Sequence, residues 1–179
     1  MLIRATAIFA LLVLMSGAPF AQTASKPTAS KPTDPQIAHI AHTAGAIDID
    51  AAKLALGKSK NKQVVGFAEG MVRDHEAVNA QALDLAKKLK VTPEDNATSK
   101  ALNAAAAEQR KKLSKLKGSA FDKAYMQNEV AYHKQVNNAL KTQLIPSATN
   151  SELKSLLETG LALFQGHQQH AEDVAATLK

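Results

Sequence analysis

The sequence predicts an all-α protein, an antiparallel four-helix bundle with one additional short helix. Three observations point there. Apolar residues recur every three to four positions over long stretches. Alanine is abundant and β-branched runs are few, so no segment reads as a strand. The connections between periodic segments are brief, which favours antiparallel neighbours.

Residues 1–21 read as an export signal. Arg4 supplies the positive start, "ATAIFALLVLM" (5–15) the apolar stretch, and "SGAPFAQ" the small residues of a cleavage site, placed after Ala21. The apolar run is too short to span a bilayer comfortably, so no transmembrane segment is expected after cleavage. The chain is therefore expected to be periplasmic or secreted. Residues 22–34 contain two copies of "ASKPT". Proline, lysine and small polar residues cannot bury enough surface to order themselves, and this stretch reads as a flexible linker. The helical domain is expected over residues 35–179.

The first helix is expected over 36–57, with an N-cap offered by "TDP" (33–35), Pro35 in the first turn and Gly57 as the stop. A second follows at 61–90, and "VTPEDNATS" (91–99) connects it to a shorter third helix at 99–117, ended by Gly118. The fourth opens at "GSAFDKAY" with Ser119 as cap and Asp122 complementing the helix dipole, and Pro146 closes it. "TNSELK" (149–154) offers a Thr-x-x-Glu capping box for the last helix.

Composition narrows the chemistry. The chain has no cysteine, which removes disulfides, thiolate metal sites and a thiol nucleophile. Loss of Arg4 with the signal takes the formal charge from +6 to +5, so the protein remains basic. Such a balance favours anionic envelope components such as polymers or lipid head groups, and its plainer use is solubility. Nucleic acid is not an expected partner, because there is no tryptophan and aromatics are few for base stacking. The run "RKKLSKLK" (110–117) resembles an anion patch, yet cations also sit favourably at a helix C-terminus.

All six histidines fall on expected helices: His39, His42, His75, His133, His167 and His170. His75 lies on the apolar stripe with Met71, Val72 and Val78; His133 and His167 lie on the stripes of their own helices. Suppose the third helix only carries the chain across, and depth is counted from the end where the first helix joins the second and the fourth joins the fifth. His42, His75, His133 and His167 then fall about 17, 15, 13 and 19 residues down, levels that agree within about 9 Å at a rise of 1.5 Å per residue. With the third helix a full member, His75 and His133 still match and His167 drifts away.

Co-levelled neutral imidazoles suit zinc, copper, nickel or iron. Asp48, on the small-residue face of the first helix, and Glu129, one turn before His133, could complete such a metal site. His39-x-x-His42 and His167-x-x-His170 add i, i+3 pairs that can share a face. A core histidine also serves as a purely structural group bonded to a carbonyl or carboxylate. Di-iron bundles use Glu-x-x-His on two helices, and this chain has no Glu-x-x-His, which speaks against oxygen-activating or ferroxidase chemistry. There is no glycine-rich phosphate loop and no nucleophile elbow, so an enzyme is the least supported class.

"LALGKSKNKQVVGFAEGMVRDH" (54–75), "LKGSAFDKAYMQNEVAYH" (116–133) and a histidine late in the last helix resemble the bacterial exported domain-of-unknown-function family 4142. The resemblance covers about residues 35–178 and implies a ferritin-like helical bundle. Matched position by position, it singles out Phe67, Met71, Asp74 and His75, then Phe121, Asp122, Tyr125 and His133, then His167. Asp48 stands where such proteins typically carry a glutamate. The histidine layer then has two uses open to it, holding a metal or fixing helix register. Asp74 is expected to face elsewhere, towards a lysine or a neighbouring loop. The competing expectation is a non-catalytic envelope protein that contacts partners through its basic surface.

Overall fold

The first helix starts within the expected "TDP" stretch, and Thr33 is its N-cap: Gln36 Oε1 accepts from the Thr33 N–H at 3.3 Å, and Pro35 lies in the first turn. The computed structural model describes residues 31–178; the expected signal segment and most of the linker lie outside them. Helix α1 spans Asp34–Lys58, α2 Lys62–Lys88, α3 Ala97–Ser114 and α4 Gly118–Ala139. A π-helical segment (Leu140–Leu144), the short α5 (Ile145–Ser147) and α6 (Ser151–Thr177) complete the chain. The class is all-α, with no strand among the described residues. None of the described helices is long and apolar enough to cross a membrane.

Several ends differ from expectation. Gly57 is inside α1, and Ser59 takes the cap; the stop is set by the Asn61 side chain, which accepts from Gln63 and Val64 to start α2. Ser119 is inside α4 rather than capping it; the chain turns at Gly118, whose φ of 54° costs a residue without Cβ little. Asp122 lies beyond the first turn and is buried. Asn150, not Thr149, caps α6 through Glu152 and Leu153, because both the N–H and the hydroxyl of Thr149 donate to Asp34. Pro146 does sit at the close of the fourth helical run. It has no N–H to offer the Thr142 carbonyl, and the preceding turn widens to the π segment.

Helix α1 packs on α2, α2 on α6, α6 on α4 and α4 back on α1, closing a ring of four. Asp34 at the start of α1 holds the start of α6, and Thr177 at the end of α6 meets Gln63 at the start of α2. The turn between α4 and α6 therefore lies at the opposite end from the turn between α1 and α2, contrary to the expected path. Helix α3 is the reason. It does not merely cross over: Glu94 N–H reaches the Pro35 carbonyl at one end, and Lys58 Nζ reaches the Ser114 carbonyl at the other. It runs the length of α1, packing chiefly there and sparsely on α4.

The interior has two apolar clusters. One contains Phe67, Met71, Leu113, Phe121, Tyr125 and Met126 near the α1–α2 turn. The other contains Ile37, Ile40, Leu140, Leu144, Leu153 and Leu157 near the far end. Along each of the four ring helices a polar residue sits between them: Asp48, His75, Glu129 with His133, and His167. Close helix approach is local. A Cβ on Gly45 would lie 2.5 Å from Asn79 Oδ1, so the missing side chain lets Asn79 lie against α1.

Candidate metal centre

His75, His133 and His167 come together as expected, each at most 6 % exposed. Their ring centroids are 5.3–5.9 Å apart. One ligand-capable atom from each lies within 4.8 Å of the others, and the same holds for Asp48, Glu129 and His133. His133 belongs to both groups. The levels agree although the assumed chain path was wrong, because His167 sits above the C-terminal end of α6 by nearly as many turns as His75 and His133 sit above the starts of α2 and α4.

Two of the imidazoles are anchored in a defined tautomer. A carbonyl only accepts, so His133 Nδ1–H donates to the Glu129 carbonyl at 3.0 Å and its lone pair is on Nε2. The Asp74 carboxylate accepts from His167 Nε2–H at 3.0 Å, leaving the lone pair on Nδ1. Both free nitrogens are buried without a hydrogen-bond partner. His75 stacks on Phe164 with 4.7 Å between centroids and 8° between planes, and neither of its nitrogens has an aligned partner. Burial holds the His133 pKa below the ordinary imidazole value, against the pull of Asp48. Burial likewise brings His167 down to about 4. Both are neutral at pH 7.

Asp48 Oδ2 lies 2.8 Å from His75 Nε2 and 3.2 Å from His133 Nε2. These are hydrogen-bond distances, but the ring N–H directions miss the oxygen. Burial alone would raise the Asp48 carboxyl; the short contact with His75, and positive charge on His75 or His133 whenever either is protonated, bring it below its ordinary value. Glu129 goes the other way. Complete burial, then the Asp48 charge beside it, push its carboxyl well above the usual range. No aligned donor reaches Oδ1 or Oδ2 of Asp48 or Oε2 of Glu129.

Of the residues expected at the site, His42 does not join. It lies six positions before Asp48, about 120° around the helix at 100° per residue, and is half-buried with its carbonyl facing Asn79. His39 is half-buried, and His170 is exposed against the edge of Phe67. Asp74 was expected elsewhere and belongs here. Arg73 and His167 both donate to it, and these bonds, Arg73 first, lower its pKa. Its partner is 93 positions away, so only the D-H pairing of the "VRDH" stretch could have signalled it. Tyr132 and Asn137 flank the layer. The Tyr132 hydroxyl donates to the Ala44 carbonyl at 2.8 Å, and Asn137 donates to the Phe164 carbonyl and to Gln168.

The domain of unknown function DUF4142 matches residues 18–174, and the chain belongs to that family. No curated protein and no solved structure matches the chain.

Proposed function

We propose that this DUF4142 domain binds one first-row transition-metal ion through His75, His133 and His167, with Asp48 as the carboxylate ligand. One observation carries the reading. Buried Asp48 Oδ2 lies 2.8 Å from His75 Nε2 and 3.2 Å from His133 Nε2, in a layer where none of these atoms has an aligned hydrogen-bond partner. A cation between them turns these contacts into ligation. The residues fit the ion: three imidazoles and a carboxylate suit zinc, copper, nickel or ferrous iron. The outer partners fit as well, because ligating histidines typically give their other N–H to a carbonyl or carboxylate, as His133 and His167 do here.

Residues 1–21 read as an export signal, which supports a periplasmic or secreted protein that would sequester metal in the envelope and support tolerance of stress there. The chain's own residues orient and desolvate the ion; no nucleophile or complete carboxylate set supports an enzyme.

The test is metal analysis of residues 22–179 as purified, followed by calorimetric titration with Zn²⁺, Cu²⁺, Ni²⁺ and Fe²⁺. Near-stoichiometric binding that vanishes in a His75→Ala, His133→Ala double variant is expected. Absence of binding tighter than micromolar to any of the four ions refutes the reading and leaves the layer as a register device.

A further inference from the structure

Because α3 leans on α1 and touches α4 only sparsely, a cleft of about 240 Å³ remains between α3 and α4. Its rim is solvent-exposed at Ala105, Ala131 and Gln135. Its floor is Asp48 and Glu129, at most 1 % exposed, and oxygens of both carboxyls lack an aligned donor. The walls are short: Ala105, Ala106 and Ala51 leave the space open. At about 30 Å³ per water the cleft holds several waters, enough for a hydrated cation.

We infer that this cleft is the way in for the metal ion. Asp48 and Glu129 at its floor, with His133 grouped behind them, form an outer position that receives the cation, and His133 passes it to the inner position formed with His75 and His167. The inference rests on the metal-binding reading above and adds a route and a second, transient position. Charge favours it. The cleft is acidic at its floor, and the one cation of its wall, Arg110, is paired with Asp50. Sharing supports a hand-over too. His133 Nδ1 is committed to the Glu129 carbonyl, so its single free nitrogen serves one position at a time.

Stopped-flow binding of Co²⁺ to the metal-free protein, followed by the visible absorption of the bound ion, tests the route. Ala106→Phe and, separately, Ala131→Phe narrow the cleft from opposite walls without touching a ligand. Both are expected to slow association and dissociation about tenfold and leave Kd within twofold; this is the slowing given by about 1.4 kcal/mol of added barrier. Leu113→Ala, which loosens α3, is expected to speed both rates with Kd again unchanged, so the test survives if a phenylalanine variant fails to fold. Wild-type rates in the folded variants, or a changed Kd with unchanged association, overturn the route alone. A wild type that binds neither Co²⁺ nor the four ions above removes the route and the metal reading together.

Discussion

Acid should destabilise the metal-free protein by an amount set mainly by His167. That ring is 6 % exposed and titrates at about 4 when folded, against 6.5 as an ordinary histidine. Between these values the unfolded chain binds a proton that the folded chain refuses. Stability is therefore complete above pH 6.5 and is lost as pH falls towards 4. At 1.36 kcal/mol per pH unit the gap corresponds to about 3 kcal/mol. The other groups of the layer must be signed as well. His133, also lowered, acts in the same direction as His167. Glu129, raised, acts oppositely: above 4.5 the unfolded carboxyl ionises while the folded one stays protonated. The two therefore act in opposite senses between pH 4.5 and 6.5. Asp48 and Asp74, both lowered, act only below about 3.8. Urea unfolding in the presence of a chelator, at pH 4.5, 5.5, 6.5 and 7.5, measures this directly. A profile that is flat or rises towards pH 4.5 refutes the reasoning, as does a His167→Gln variant with an unchanged slope.

Removing the outer partner of His167 should weaken metal without unfolding the bundle. Asp74→Ala is expected to cost 10- to 100-fold in affinity by competition titration, while Arg73→Ala, whose side chain is 76 % exposed, changes it less than twofold, about the limit of the assay. Lys90 ends α2 in a left-handed conformation, φ 55°, with Val91 N–H bonded to the Ala86 carbonyl. Lys90→Gly should therefore stabilise by about 1 kcal/mol in urea unfolding. Leu113 is the one large apolar residue that α3 buries fully. Leu113→Ala should cost about 2–5 kcal/mol, and hydrogen exchange should show the protection lost first from α3.

The helices were legible because alanine content, periodicity and caps all point the same way, and the inward histidines were legible from their stripes. What failed was decided between elements. Thr149 and Asn150 are both good caps, and only the docking of Asp34, distant in sequence, commits Thr149 elsewhere. The role of α3 followed from no local signal. With only Ser99 and Leu113 buried, its pattern is that of a crossing segment, yet it runs along α1 for its whole length. That also explains why α1 buries residues well beyond one stripe: it is covered by α2, α3 and α4. His42 looked well placed by depth alone; angle around the helix, which depth ignores, excludes it. Asp74 was missed for the converse reason. It is 100° from His75 on its own helix, and α6 brings His167 to that side.

The remaining choice, metal site or register device, turns on how the buried polar groups are satisfied. A register device works by complementary pairs, each donor matched to an acceptor, so that any slip leaves groups unpaired. The bundle already has such pegs on its outer margin. Tyr132 ties α4 to the α1 backbone, and Asn137 ties α4 to α6 through a carbonyl and a glutamine. The layer beside them is built differently. Its Asp48 carboxylate lies 2.8–3.2 Å from two imidazole nitrogens with no aligned hydrogen bond between them. Leaving buried polar groups unsatisfied costs about 1–3 kcal/mol each, and nothing in register alone requires that cost. Two of its imidazoles have their N–H groups anchored outward and their lone pairs turned inward, the arrangement that the proposed metal ligation uses.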